Sequence, residues 1–195
     1  MTAQPIEFEP PPPWQPDPVR QRQANYTIED ILLYLPEDAP RVELIDGVMR
    51  VVPSPIEDHQ DIAALLWMWL RAHAPGEFKA TMAVGVAVAF NKSYEPDVLL
   101  KRADGIADRH LILAENMILV VEVVSPGSEK TDRFDKPFRY AEAGIPFFWR
   151  VERNPLRVHA YKLDGGIYKE QAESADELVV DEPFPIRLPI REITP

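Results

Sequence analysis

Met117-Ile118-Leu119-Val120-Val121-Glu122-Val123-Val124 sets one carboxylate in the middle of an apolar run. Odd and even positions are apolar alike, so the pattern predicts a strand covered on both faces. An ionised carboxylate is costly to bury and persists only when paired, neutralised or bound to a metal. Outward from this run, Pro96 introduces a second short apolar strand, Asp97-Val98-Leu99-Leu100, with its own acid at the start. On the other side, Ser125-Pro126-Gly127-Ser128 turns the chain into a polar segment that carries Lys136. Two strand-borne acids and a nearby lysine are the parts of a metal-dependent phosphodiesterase site.

Composition bounds the rest. A chain of 195 residues with 46% hydrophobic content builds one domain with a sizeable core. No run approaches the roughly 20 apolar residues that span a bilayer. Met1-Thr2-Ala3-Gln4-Pro5 lacks the basic and apolar regions of a secretory signal. Absence of cysteine excludes disulfides, thiol nucleophiles and cysteine-bound zinc. These features lead us to expect a cytoplasmic protein with no membrane partner. A net charge of -11 argues against tight nonspecific binding of nucleic acid.

Residues 1–23 hold seven of the 21 prolines, including Pro10-Pro11-Pro12-Pro13, and read as a disordered leader. The domain is expected over residues 24–195. Thr27 caps a short helix over Ile28–Leu35, ended by Pro36. Val42-Glu43-Leu44-Ile45 and Val48-Met49-Arg50-Val51-Val52 form a hairpin around Asp46-Gly47. Ser54-Pro55-Ile56-Glu57 reads as a capping box, opening a helix with the stripe Ile62, Leu65, Leu66 and Trp69. Strands follow at about 77–80, 82–90, 97–100 and 117–124. The second half of Thr131–Gly144 is helical, with Lys136 at its start before Pro137, and Phe138 and Ala141 toward the core. Phe147–Val151 is a strand, and Val158–Tyr161 with Ile167–Gln171 is a closing hairpin. The class is α+β, with a mixed β-sheet flanked by helices and with N-terminal and C-terminal β-hairpins.

The residues Glu43-Leu44-Ile45-Asp46-Gly47, His59, Pro96-Asp97-Val98, Glu122-Val123-Val124-Ser125-Pro126, Lys136, Tyr140, Gly144 and Trp149-Arg150-Val151-Glu152 together resemble the Uma2 family (DUF820). The resemblance covers about residues 27–190. It implies a restriction-endonuclease-like core of the PD-(D/E)xK superfamily and an Mg²⁺- or Mn²⁺-dependent endonuclease. The implied substrate is nucleic acid, DNA foremost, with a homodimer as an assembly to expect. Pro96-Asp97 matches the PD element and Glu122 the second acid, so both are implied metal ligands. The superfamily lysine belongs two residues after the second acid, but Val124 stands there. The family displaces that lysine to the following helix, here Lys136. Glu43 is the implied further acidic residue of the site.

Each residue also has a plainer reading. Asp97 could pair with an arginine at a strand end. Lys136 could pair with Asp132, four residues earlier, on the surface. Glu43 could be solvated on a half-buried hairpin. His59, which shares a helical face with Ile62 and Leu66, reads as a core or capping residue. Tyr140 reads as packing, and Trp67 and Trp69 as core or interface aromatics. Ser125 and Ser128 offer hydrogen bonds in the turn. A basic patch on the site face would favour nucleic acid, and Arg71, Lys79, Lys92, Lys101 and Arg102 are the candidates. Val124 and the acidic charge support a second class, a non-catalytic binding or assembly protein that retains the nuclease fold.

Overall fold

The computed structural model describes residues 14–105 and 111–195, so Pro10-Pro11-Pro12-Pro13 and most of the expected leader lie outside it. Within that leader, however, Asp17 caps a short helix α1, Pro18–Gln23, by accepting from the N–H groups of Val19 and Arg20. Gln21 ties α1 to the edge of the fold through the backbone of Met49.

Helix α2 spans Ile28–Tyr34, and Thr27 and Asp30 close a reciprocal capping box at its start. Strands β1 (Val42–Ile45) and β2 (Val48–Val51) form the expected hairpin, with Asp46 and Gly47 both at positive φ. Helix α3 spans Glu57–His73. It starts without a side-chain cap, because Ile56 is extended and the helix begins three residues beyond Ser54. The expected Ser54 capping box is therefore absent.

Strands β3 (Phe78–Thr81), β4 (Gly85–Ala89), β5 (Lys92–Tyr94), β6 (Val98–Arg102), β7 (Leu111–Leu113) and β8 (Met117–Val123) follow. A π-helical turn, Thr131–Asp135, leads into helix α4, Lys136–Glu142. The chain then forms β9 (Phe147–Arg153), β10 (Leu156–Asp164), β11 (Ile167–Ser174), β12 (Glu177–Val180) and β13 (Ile186–Pro189). The fold is α+β and mixed. The central sheet has the order β11-β10-β9-β8-β6-β3, with β8 and β9 parallel and the other pairs antiparallel. A second sheet, β2-β1-β5-β4-β7, lies against it, and β12 pairs with β13.

Every residue of β8 is buried. Leu119, Val121 and Val123 pack with Leu66 and Leu70 of α3 and with Leu178 and Leu188 of β12 and β13. Met117 and Val120 face the other way, against Val86, Tyr94, Tyr140 and Phe148. Both faces are covered, which is why the run reads as continuously apolar. Phe138 departs from expectation and is exposed. The buried stripe of α4 is Lys136, Tyr140 and Ala141. Position 138 lies about 200° around the helix from Lys136, on its far side.

Gly47 holds the first hairpin against α1. Its φ of 79° suits glycine, and an added Cβ would stand 1.9 Å from the Ala24 carbonyl oxygen. Gly47→Ala should cost about 2–3 kcal/mol in urea unfolding through clash and left-handed strain, whereas Gly76→Ala, which meets nothing within 4 Å, should cost far less.

Candidate active site

β6 and β8 pair antiparallel with Val98 opposite Val121. Continuing that register sets Asp97 opposite Glu122, and opposed residues share a face of the sheet. Asp97 is tied to β8 directly: its N–H donates to the Val121 carbonyl at 3.1 Å, and its Oδ2 accepts from the Val123 N–H at 2.7 Å. His59 of α3 brings Nε2 to 3.2 Å from the same Oδ2.

Glu122 is buried with both oxygens engaged. Tyr140 donates its hydroxyl to Oε1 at 2.5 Å, and Lys136 donates to Oε2 at 2.9 Å. Lys136 and Tyr140 are four residues apart on α4, so one helical face delivers both. The π turn before α4 also carries Asp132, whose Oδ1 lies 3.5 Å from the Lys136 Nζ. Ser128 in turn donates to Asp132. From the second sheet, Glu43 of β1 reaches to 3.4 Å from Nζ. The Lys136–Asp132 pair therefore exists, but both partners are buried and it is one contact of three.

The charges do not balance. Glu122, Glu43, Asp132 and Asp97 all act on one ammonium. Burial pushes the Glu122 carboxyl up to about 8; Lys136 opposes this, while Asp97 and Asp132 add to it. Burial also works against the Lys136 charge, but the surrounding carboxylates raise its pKa and keep it protonated. Burial raises Asp132, and burial together with the neighbouring Glu122 holds the Tyr140 phenol well above its usual range.

The fold thus brings Glu43, Asp97, Glu122 and Lys136 into one electrostatic cluster between the two sheets. Tyr140 and His59, read from the sequence as packing, also touch its acids. The i,i+4 spacing of Lys136 and Tyr140 was the available signal for the tyrosine. For His59 the signal was its place among the residues of the family resemblance, while its partner Asp97 lies on a strand distant in sequence. The basic candidates do not gather here. Lys92 is buried against Asp46 at 2.8 Å, and Lys101 is buried and donates to the Gly105 carbonyl at 2.6 Å. Lys79, opposite Lys101 on β3, is exposed, as are Arg71 and Arg102. Trp69 is core and Trp67 half-buried.

Among the described residues, three metal-type donors come within 4.8 Å of one another at His159, Glu170 and Glu173 on the β10–β11 hairpin. Around Glu122 the Lys136 ammonium stands between the acids instead. The donors there still suit a hard divalent cation, since Asp97 and Glu122 offer only oxygens. The contacts of Asp97 with the Val123 N–H and with His59 fall on Oδ2. Burial is the main cause of the raised Glu122 carboxyl, with Asp97 and Asp132 adding to it, and a bound dication would favour its charged form.

Two acids lie on adjacent strands of a mixed sheet, and the next helix sets a lysine among carboxylates. The Uma2 family, described as "Putative restriction endonuclease", matches residues 28–191, and the chain belongs to that family. A solved structure described as a putative nuclease belonging to DUF820 from Anabaena variabilis ATCC 29413 aligns with a TM-score of 0.65 at 19% identity. The alignment covers 84% of this chain and 95% of that one, and it shows the shared fold. Comparison with curated proteins gives no match.

The Glu122 carboxyl fixes a sign for pH dependence. Its folded value of about 8 lies above its ordinary 4.5, so between these limits the folded chain holds a proton the unfolded chain has lost. Its contribution to stability is full below about 4.5 and declines as pH rises toward 8. With a chelator present, the urea midpoint of the wild type should fall across this window relative to Glu122→Gln. Parallel profiles for the two proteins would refute the assignment.

Proposed function

We propose that the chain is a metal-dependent endonuclease that hydrolyses phosphodiester bonds in DNA. The observation that carries this reading is the buried Lys136 ammonium, held 2.9 Å from Glu122 on the face that Asp97 shares. Asp97 and Glu122 would hold Mg²⁺ or Mn²⁺, and Glu43 would supply a further acid. A bound divalent ion acidifies its water and neutralises charge on the phosphate.

The remaining work falls to the chain. Lys136 is held charged, so it acts as a donor to the phosphate oxygen on which negative charge develops. It does not act as a base. Tyr140 fixes the orientation of Glu122 through Oε1, leaving Lys136 on Oε2. Asp132 and Glu43 hold the ammonium from two further sides beside Glu122. Pairing Asp97 to the Val123 N–H fixes the spacing of the acids across two strands.

Among the described residues no helix is long and apolar enough to cross a membrane. A non-catalytic binding role has Val124 and the net charge of -11 in its favour.

Cleavage of labelled DNA with Mg²⁺ and Mn²⁺, beside thermal melting, separates the two readings. Divalent metal should raise Tm, and Glu122→Gln should lose most of that shift together with activity. Lys136→Ala should lose at least about 100-fold in kcat while keeping the metal-dependent Tm shift. Wild-type protein that binds DNA with metal but leaves it uncut would establish the binding role instead.

A further inference from the structure

Arg150 is a part-buried arginine whose Nε has no hydrogen-bond partner among the described residues. Parallel pairing of β8 and β9 sets it beside Glu122, one strand further across the central sheet. Laterally paired residues share a face, so Arg150 extends the row that begins with Asp97 and Glu122. Its guanidinium lies over the Tyr161 ring, 5.6 Å from the centroid. The side chain is only 18% exposed.

A guanidinium carries five N–H donors. The Arg150 Nε is buried without a hydrogen bond. Glu152 Oε1 forms an ion pair with it at 3.0 Å without hydrogen-bond geometry. Glu152 directs both its oxygens to Arg133, at 3.0 and 2.8 Å. By contrast Arg20, Arg41, Arg133 and Arg139 each bond a carboxylate. The acids beyond Arg150 are engaged elsewhere: Glu170 and Glu173 flank His159 at 3.0 and 3.4 Å, and Arg157 pairs with Glu173.

A buried donor left without a hydrogen bond, as Nε is here, costs stability unless a ligand supplies the acceptor. The fork geometry of a guanidinium selects a planar or tetrahedral oxyanion that can take two parallel bonds. We propose that Arg150 binds the phosphodiester group neighbouring the one that is cleaved, and so aligns the nucleic-acid backbone across the sheet. This assignment rests on the nuclease reading of the Glu122 site. It locates positive charge on the site face of an acidic protein, on a residue not among the basic candidates from the sequence.

The test uses full-length protein and a fluorescein-labelled DNA duplex. Cleavage kinetics compare wild type, Arg150→Met and Arg150→Lys. Binding across a salt series is measured by anisotropy in a Glu122→Gln background, with and without the Arg150 changes. Methionine keeps an apolar stem against Tyr161, and the melting temperature of each variant checks folding. Arg150→Met should raise KM about 10-fold with kcat changed little, and should lower the slope of log affinity against log salt by about one. Arg150→Lys should restore the slope but not the full KM, because a point charge lacks the fork. Unchanged KM and salt slope in a folded Arg150→Met protein that still cuts DNA would overturn the assignment alone. Wild-type protein that neither binds nor cuts with Mg²⁺ or Mn²⁺ would overturn the nuclease reading and this assignment with it.

Discussion

Burying the Glu122 carboxylate at the centre of β8 is the constraint around which the fold is arranged. A strand covered on both faces has no water to offer that group, so other elements must supply its partners. Tyr140 and Lys136 do so from one face of α4, and this fixes where α4 must lie on the sheet. Lys136 brings a second requirement, since its own burial demands compensating charge. Glu43 from the second sheet and Asp132 from the π turn meet it. One buried acid therefore locks together two sheets, a helix and a turn, without a salt bridge at the surface. Removing a single partner leaves another charge unpaired in the interior, which is the expensive outcome for such networks.

The parts that were legible in the sequence share one property: their signal is local. The run around Glu122, the Asp46-Gly47 turn and the Thr27 cap all declare themselves within a few residues. The run of apolar residues gave β8 and its double-sided burial directly. What was not legible depended on distance. His59 meets Asp97 across a long separation in sequence, and no local pattern marks that pairing. Strands β5 and β7 have only three residues each, too short for periodicity to register. Strands β12 and β13 alternate cleanly in burial, yet flanking prolines and acids hide the pattern. Phe138 misled because hydrophobicity was read as burial, whereas α4 spends its inward face on Lys136 and Tyr140.

The π turn explains how that inward face can be polar. A turn one residue wider than an α-turn precedes Pro137, whose missing N–H could not have continued an α-helical ladder backward. The chain instead closes the turn from the Lys136 N–H to the Thr131 carbonyl. Asp132 and Lys136 both end up buried toward β8, while Arg133 points outward to Glu152.

A lysine on the helix rather than on the strand changes what governs its distance to Glu122. A lysine two residues along the same strand would have its distance to the acid set by covalent pleat geometry, about 6.5–7 Å between Cα atoms. Lys136 has no such ruler. Its distance to Glu122 is set by how α4 seats on Val120, Ile145 and Phe148, the packing that also holds Tyr140. The Lys136–Glu122 geometry is thus a property of a hydrophobic contact, and drift in the apolar residues under α4 can shift it while every charged side chain stays unchanged.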